Sequence, residues 1–227
     1  SGILIAIDDL SKINKVKSTF KKYVSKNIVD KLLESEDSLN LGGKESEVTI
    51  LFSDIRGFTS MSEKLNPTDI VKLLNKYFQS MIDVVFKYNG TLDKIVGDEL
   101  MVLYGVPLKD EEDTHNAVKT AIKMFDALDL FNKKIVKEGY KPFKIGIGIN
   151  KGKAVSGNIG SEQQMNYTVI GDTINLGARL CSHAKSGQIL ISESVKDRIG
   201  DQYNFKRIPS IEVKGKSKPI DVWSYRH

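Results

Sequence analysis

Two runs of β-type residues, Leu92–Val96 and Leu100–Tyr104, are separated by little more than Gly97-Asp98. A connection that short predicts a hairpin, because Gly and Asp accept the backbone angles of a tight turn. A third run, Val48–Phe52, leads to Asp54 and then to Gly57, where the chain turns toward a helix. Asp54 and Asp98 therefore fall at strand ends, each near a glycine. Taken singly, either one reads as a turn cap. Taken together they suit a hard divalent cation, because Mg²⁺ takes oxygen ligands and commonly shares them with substrate phosphates.

Around these runs the pattern predicts the order β-α-β-β-α-β, followed by further elements. A first helix starts near Asn66, with Pro67 at its first position and Asp69 completing the cap, and stops at Asn89-Gly90. Its apolar stripe includes Leu73, Tyr77, Met81 and Val85. A second helix is predicted over 110–134 and strands over 144–149 and 168–170. A helix over 172–183, a strand over 188–192 and a closing hairpin of 211–213 with 220–225 complete the expectation. The fold class is α+β, an α/β sandwich on a ferredoxin-like βαββαβ core with added C-terminal strands and helices, preceded by a helical linker.

Composition narrows the function. The 227 residues carry 34 basic and 29 acidic side chains, a net charge of +5. The basic residues are spread along the chain without interleaved aromatics, which argues against a nucleic-acid surface and is compatible with an anionic nucleotide substrate. Cys181 is the single cysteine, so no internal disulfide is possible and a reducing cytoplasmic setting fits. No apolar run approaches the roughly 20 residues that span a bilayer. There is no His/Cys zinc spacing and no Walker-type phosphate loop. Of the three histidines, His115 reads as a capping or solvated residue near a helix start.

Residues 1–10 read as a strand breaking into a helix and resemble the end of a PAS-type or GAF-type sensor domain. An upstream sensor is therefore expected to lie outside this sequence. Residues 11–45 read as a helical linker, with Ile13, Val16, Phe20 and Tyr23 at the a/d spacing of a short coiled coil. Glu34 to Ser46 reads as a loop before a catalytic domain over 46–227.

From about Ser46 to Tyr225 the chain resembles the class III nucleotidyl cyclases, the adenylate and guanylate cyclase catalytic domains. The resemblance rests on separated motifs in the right order: Phe52-Ser53-Asp54-Ile55-Arg56-Gly57-Phe58-Thr59, Lys94-Ile95-Val96-Gly97-Asp98-Glu99, Tyr167–Asp172, and Asp172-Thr173-Ile174-Asn175-Leu176-Gly177-Ala178-Arg179. It implies conversion of ATP to 3′,5′-cyclic AMP and pyrophosphate with two divalent cations per site, Mg²⁺ or Mn²⁺. Asp54, Asp98 and the Ile55 carbonyl would hold the metals, and the amides of Gly57, Phe58 and Thr59 would face phosphates. Lys94 and Thr168 stand at the purine-reading positions. Lys can donate to adenine N1, whereas guanylate cyclases carry Glu there.

The Thr variant of the second reader marks a subgroup that includes bicarbonate-responsive members, which makes bicarbonate sensitivity a hypothesis. Asn175 and Arg179, four residues apart on one helix face, match the residues that orient the ribose and stabilise transition-state charge. Lys214 matches the phosphate-binding lysine, with Lys216 and Lys153 as weaker candidates. In the family two domains share each site, so a homodimer with two shared active sites is expected. The alternatives are a guanylate cyclase and a cyclase-like domain that only binds nucleotide as a regulator.

Overall fold

The computed structural model of this chain describes residues 41–161, 163–213 and 218–227. The expected sensor remnant, nearly all of the linker, and both Lys214 and Lys216 lie outside the described residues.

The elements follow in the order β1 (Gly42–Ile55), α1 (Phe58–Ser62), α2 (Pro67–Lys87), β2 (Thr91–Val96), β3 (Glu99–Tyr104), α3 (Asp113–Lys137), β4 (Ile145–Ser161), β5 (Gln164–Ile170), α4 (Asp172–His183), β6 (Gln188–Ser192), α5 (Glu193–Ile199), β7 (Lys206–Ile211) and β8 (Ile220–Arg226). One sheet runs β2-β3-β1-β4-β6-β8-β7, with β5 paired to β4 off this path. The first four strands carry the ferredoxin-like order. β1 is antiparallel to β3 and to β4, and β4 is parallel to β6.

Both faces of the sheet are covered, which explains why β1 reads as an unbroken apolar run rather than an alternating one. Its side chains still alternate. Leu51 and Ile55 pack on one face among α2, α3 and α5, against Tyr77, Met81, Ala121 and Val195. Val48, Ile50 and Phe52 pack on the other, with Met101, Leu103, Val169 and Cys181. Ile50 and Leu51 are fully buried, each contributing about 1.5–3 kcal/mol of transfer free energy. The start of α2 is as expected: the Asn66 side chain accepts from Thr68 N at 3.0 Å, with Pro67 following. At its end Asn89 takes φ 59° and Gly90 N donates to Val85 O at 3.0 Å.

Three expectations change. The predicted loop over Glu34–Ser46 is a strand from Gly42 onward, because residues 42–46 pair with 154–158 of β4. The strand predicted over 144–149 runs on to Ser161, through an exposed Lys153, because backbone pairing with β1 and β5 holds it where burial does not. The closing hairpin pairs β8 with β7 at Lys206–Ile211 rather than 211–213, with a register shift spanning Pro209, which has no N–H to donate. Helix α5 carried no expectation.

α4 lies close on β1 and β4 because two glycines meet there. A Cβ on Gly148 would sit 2.6 Å from Gly177 O and clash with the Cys181 backbone, and one on Gly177 would sit 2.9 Å from Ile50 Cγ2. Gly148→Ala should therefore push α4 off the sheet and cost about 2–3 kcal/mol, measured by urea unfolding. Gly57→Ala meets open space and only the strain of φ +74°, and should cost about 1–2 kcal/mol.

Candidate active site

Asp54 is the last even-numbered residue of β1 before the chain turns, so it shares the face of Ile50 and Phe52 and emerges at the end of the strand. Asp98 occupies the β2–β3 turn. Ile55 N donates to Asp98 Oδ2 at 3.2 Å, which ties the hairpin to the end of β1. The two carboxyls are close enough for the charge of Asp54 to act on Asp98. Burial pushes Asp98 up to about 6, and the neighbouring charge and hydrogen bond of Asp54 add to the rise. Glu99 is raised by burial first and then by the charges of Asp54 and Asp98. Arg56 offsets part of this: Nη1 lies 3.7 Å from Asp54 Oδ2, while Nη2 donates to Cys181 O at 2.7 Å. Arg56 thus pins the end of β1 to α4.

A carboxyl raised by burial and by the charge of a neighbouring carboxylate is one that a dication would favour in its ionised form. Among the described residues no group of three or more His, Cys, Asp or Glu is arranged around a metal. The two carboxylates would leave coordination positions for phosphate and water, as Mg²⁺ sites do. The residues therefore fit the metals expected from the sequence.

After Ile55, α1 begins at Phe58 with Gly57 in the left-handed conformation at its cap. Its first backbone bond is donated by Met61 to Gly57 O at 3.1 Å, which leaves the amides of Phe58, Thr59 and Ser60 without helical acceptors. The expected purine readers, 74 residues apart in sequence, meet: Lys94 Nζ donates to Thr168 Oγ1 at 3.3 Å. Asn175 and Arg179 stand on α4, Asn175 exposed and Arg179 half-buried. The Arg179 guanidinium forms no ion pair among the described residues. Lys153 instead pairs with Glu45 at 2.8 Å on the β1–β4 ladder. His115 does not cap through Nδ1: the residue is half-buried, and Nδ1 is buried without a hydrogen-bond partner among the described residues. His183 Nδ1 lies 2.9 Å from Arg179 O.

Sequence reasoning missed Asp93, whose Oδ2 lies 3.1 Å from both Lys94 Nζ and Thr168 Oγ1. Strict alternation would send Asp93 and Lys94 to opposite faces of β2. The register jumps between Leu92↔Val102 and Lys94↔Met101, and such a bulge turns neighbouring side chains toward one side. The only sequence signal was the acid next to the base-reading lysine.

The raised Asp98 carboxyl has a signed consequence for the metal-free protein. A folded value above the unfolded one stabilises below about pH 4 and is lost as pH rises through about 6. With chelator present, Asp98→Asn should melt higher than the parent at pH 7.5, and the difference should vanish near pH 4. Thermal melts at the two pH values check this.

A sequence profile for the adenylate and guanylate cyclase catalytic domain matches residues 43–224. The chain is 31% identical over 207 residues to adenylate cyclase 1 of Rhizobium meliloti (strain 1021), covering 90% of this chain and 31% of that protein. It is 32% identical over 227 residues to an adenylate cyclase of Anabaena cylindrica, covering 95% of this chain and 44% of that protein. It thus spans less than half the length of either relative. Among solved structures, the guanylyl cyclase Cya2 superposes with a TM-score of 0.78 at 40% identity, covering 81% of this chain and 93% of that one. The adenylyl cyclase CyaB from P. aeruginosa gives 0.78 at 37% identity, covering 81% and 95%. With its sheet order, its paired carboxylates and its profile match in agreement, this chain belongs to the family of adenylate and guanylate cyclase catalytic domains.

Proposed function

We propose that this domain is an adenylate cyclase that converts ATP to 3′,5′-cyclic AMP and pyrophosphate at sites shared between two copies of the chain. The observation that carries the choice of ATP is the meeting of Lys94 and Thr168 at 3.3 Å. Solved relatives of similar likeness include both a guanylyl and an adenylyl cyclase, so overall likeness does not choose the base. A lysine can only donate, which suits adenine N1 and opposes the N1–H of guanine.

In the reaction the ribose 3′-oxygen bonds to the α-phosphorus while the bond from that phosphorus to the bridging oxygen breaks, releasing pyrophosphate. The hydroxyl proton passes to Asp54, to water or to the triphosphate. Two divalent cations, Mg²⁺ or Mn²⁺, held by Asp54, Asp98 and the Ile55 carbonyl, would acidify the 3′-hydroxyl and neutralise the triphosphate. The free amides of Phe58 and Thr59, with Gly57, would face phosphate oxygens. Lys214 is assigned to the leaving phosphates from its sequence motif. Asn175 would orient the ribose, and the planar donors of Arg179 would meet charge that develops on the α-phosphate.

Two features support a shared site. Asn175 is exposed and Arg179 carries no ion pair among the described residues, as groups that await a ligand would. Ile95, Val96, Val155, Met165 and Ile170 are exposed large apolar residues on β2, β4 and β5, an apolar patch that a second copy would cover. An isologous dimer would then place the metal carboxylates of one copy opposite the purine readers of the other.

The test runs ATP and GTP in parallel with Mg²⁺ or Mn²⁺ and reads cyclic product. Cyclic GMP as the main product would favour the guanylate cyclase reading, and no product from a folded dimer would favour a nucleotide-binding regulatory domain. Asp54→Ala should lower turnover about a thousandfold or more, the worth of several kcal/mol of charge stabilisation. Asp54→Ala and Arg179→Ala should each be inactive alone. Mixed at equal amounts they should recover about a quarter of parental activity, since half the dimers are mixed and one site in each is intact. No recovery despite subunit exchange would place the whole site within one copy.

A further inference from the structure

The Asp93 side chain is fully shielded from solvent although it sits beside a lysine that is 45% exposed. Its Oδ1 is buried without a hydrogen-bond partner among the described residues. Its Oδ2 takes both available donors, Lys94 Nζ and the Thr168 hydroxyl, each at 3.1 Å. Burial raises the Asp93 carboxyl, while Lys94 and Thr168 pull it back down. The three polar atoms form a closed triangle, completed by Lys94 Nζ to Thr168 Oγ1 at 3.3 Å.

The triangle fixes the direction of every hydrogen bond in it. An ammonium has no lone pair and an ionised carboxylate has no proton. The single Thr168 proton can therefore go only to Asp93. One Thr168 lone pair receives Lys94, and the other is left for a ligand. This matters because a hydroxyl by itself does not discriminate. It can accept from the 6-amino group of adenine or donate to the 6-oxo group of guanine. With its proton committed, it can only accept.

We propose that Asp93 is a positioning residue that makes Thr168 an acceptor-only group and thereby selects adenine over guanine. The proposal rests on the reading of Lys94 and Thr168 as purine readers. It adds to that reading a residue that touches no substrate and acts through another side chain. The β2 bulge is what permits it, by bringing Asp93 and Lys94 to the same side.

The experiment compares the parent chain with Asp93→Asn, an isosteric change whose amide can donate to Thr168 and release the threonine proton toward the base. Turnover of ATP and GTP is measured as a kcat/KM ratio. Binding of 3′-deoxy-ATP and 3′-deoxy-GTP, which lack the attacking hydroxyl, is measured by calorimetry. The ATP:GTP ratio should fall about tenfold or more in both assays, the effect of reversing one hydrogen bond. Asp93→Glu, which keeps an acceptor-only group, should retain the parental ratio. Adding Thr168→Asp to Asp93→Asn should restore ATP preference, because a carboxylate at 168 accepts whatever stands at 93. If Asp93→Asn slows both nucleotides equally with an unchanged ratio, Asp93 is only structural and the proposal falls alone. If the parent itself does not prefer ATP, the adenylate reading falls and takes this proposal with it.

Discussion

Each part of the candidate site is anchored to the antiparallel ladder between β1 and β4. It pairs all fourteen residues of β1, from Gly42↔Asn158 to Ile55↔Ile145. At one end of it Asp54 emerges at the end of the strand, where the Arg56 amide donates to Lys144 O at 2.7 Å and fixes the turn. At the other end β4 turns back as β5, and Val169 packs with Met101 and Leu103 on the sheet face that Asp54 shares. That return brings Thr168 over β2 and onto Lys94. Across the middle, Gly148 and Gly177 let α4 settle low enough for Cys181 to receive Arg56. Loss of this ladder would scatter the carboxylates, the Lys94–Thr168 pair and the Asn175–Arg179 face at once.

The end of the ladder at Asp54 and Asp98 is built against its own stability. Burial and the charge of Asp54 raise Asp98, Glu99 is raised as well, and Arg56 lies 3.7 Å from Asp54. Such a cluster is costly in the absence of a cation, and a cation bound there would stabilise the fold. The surrounding core supplies the stability that the cluster withdraws. Tyr77, Met81, Leu100 and Ile147 are fully buried in the core on which it rests. A rigid hydrophobic base under a strained polar edge is what precise charge placement requires.

Much of this was legible from residue order. Asn66-Pro67 and Asn89-Gly90 bracket α2 because capping chemistry is local. The Gly97-Asp98 hairpin was legible because a two-residue connection leaves few alternatives. The 42–47 half of β1 and the 150–161 half of β4 were not, because they are rich in Lys, Glu, Ser and Gly and are held by pairing, 42–47 with residues more than a hundred positions away and 155–161 with β5. Burial patterning carries no trace of such pairing. The β7 strand was hidden by Pro209 within its run. At the site, Asp54, Asp98, Lys94, Thr168, Asn175 and Arg179 were singled out by motif, whereas Arg56 and Glu99 were read only as parts of it. Their contacts depend on how α4 and the hairpin dock, which no short motif encodes.

Asp93 shows why the remainder was out of reach. In an ideal strand adjacent residues face opposite ways, so a sequence reading assigns Asp93 and Lys94 to different environments. One extra residue in β2 overrides that rule locally, and only pairing with β3 reveals it. The consequence is directional rather than steric. A lysine and a threonine together would offer the base one fixed donor and one ambiguous hydroxyl. In the proposed reading, a buried carboxylate beside them, short of donors of its own, would remove the ambiguity by taking the threonine proton. On the proposed reading, base choice would depend on a side chain buried beside Lys94 and Thr168, and on a bulge that has no signature in composition or periodicity.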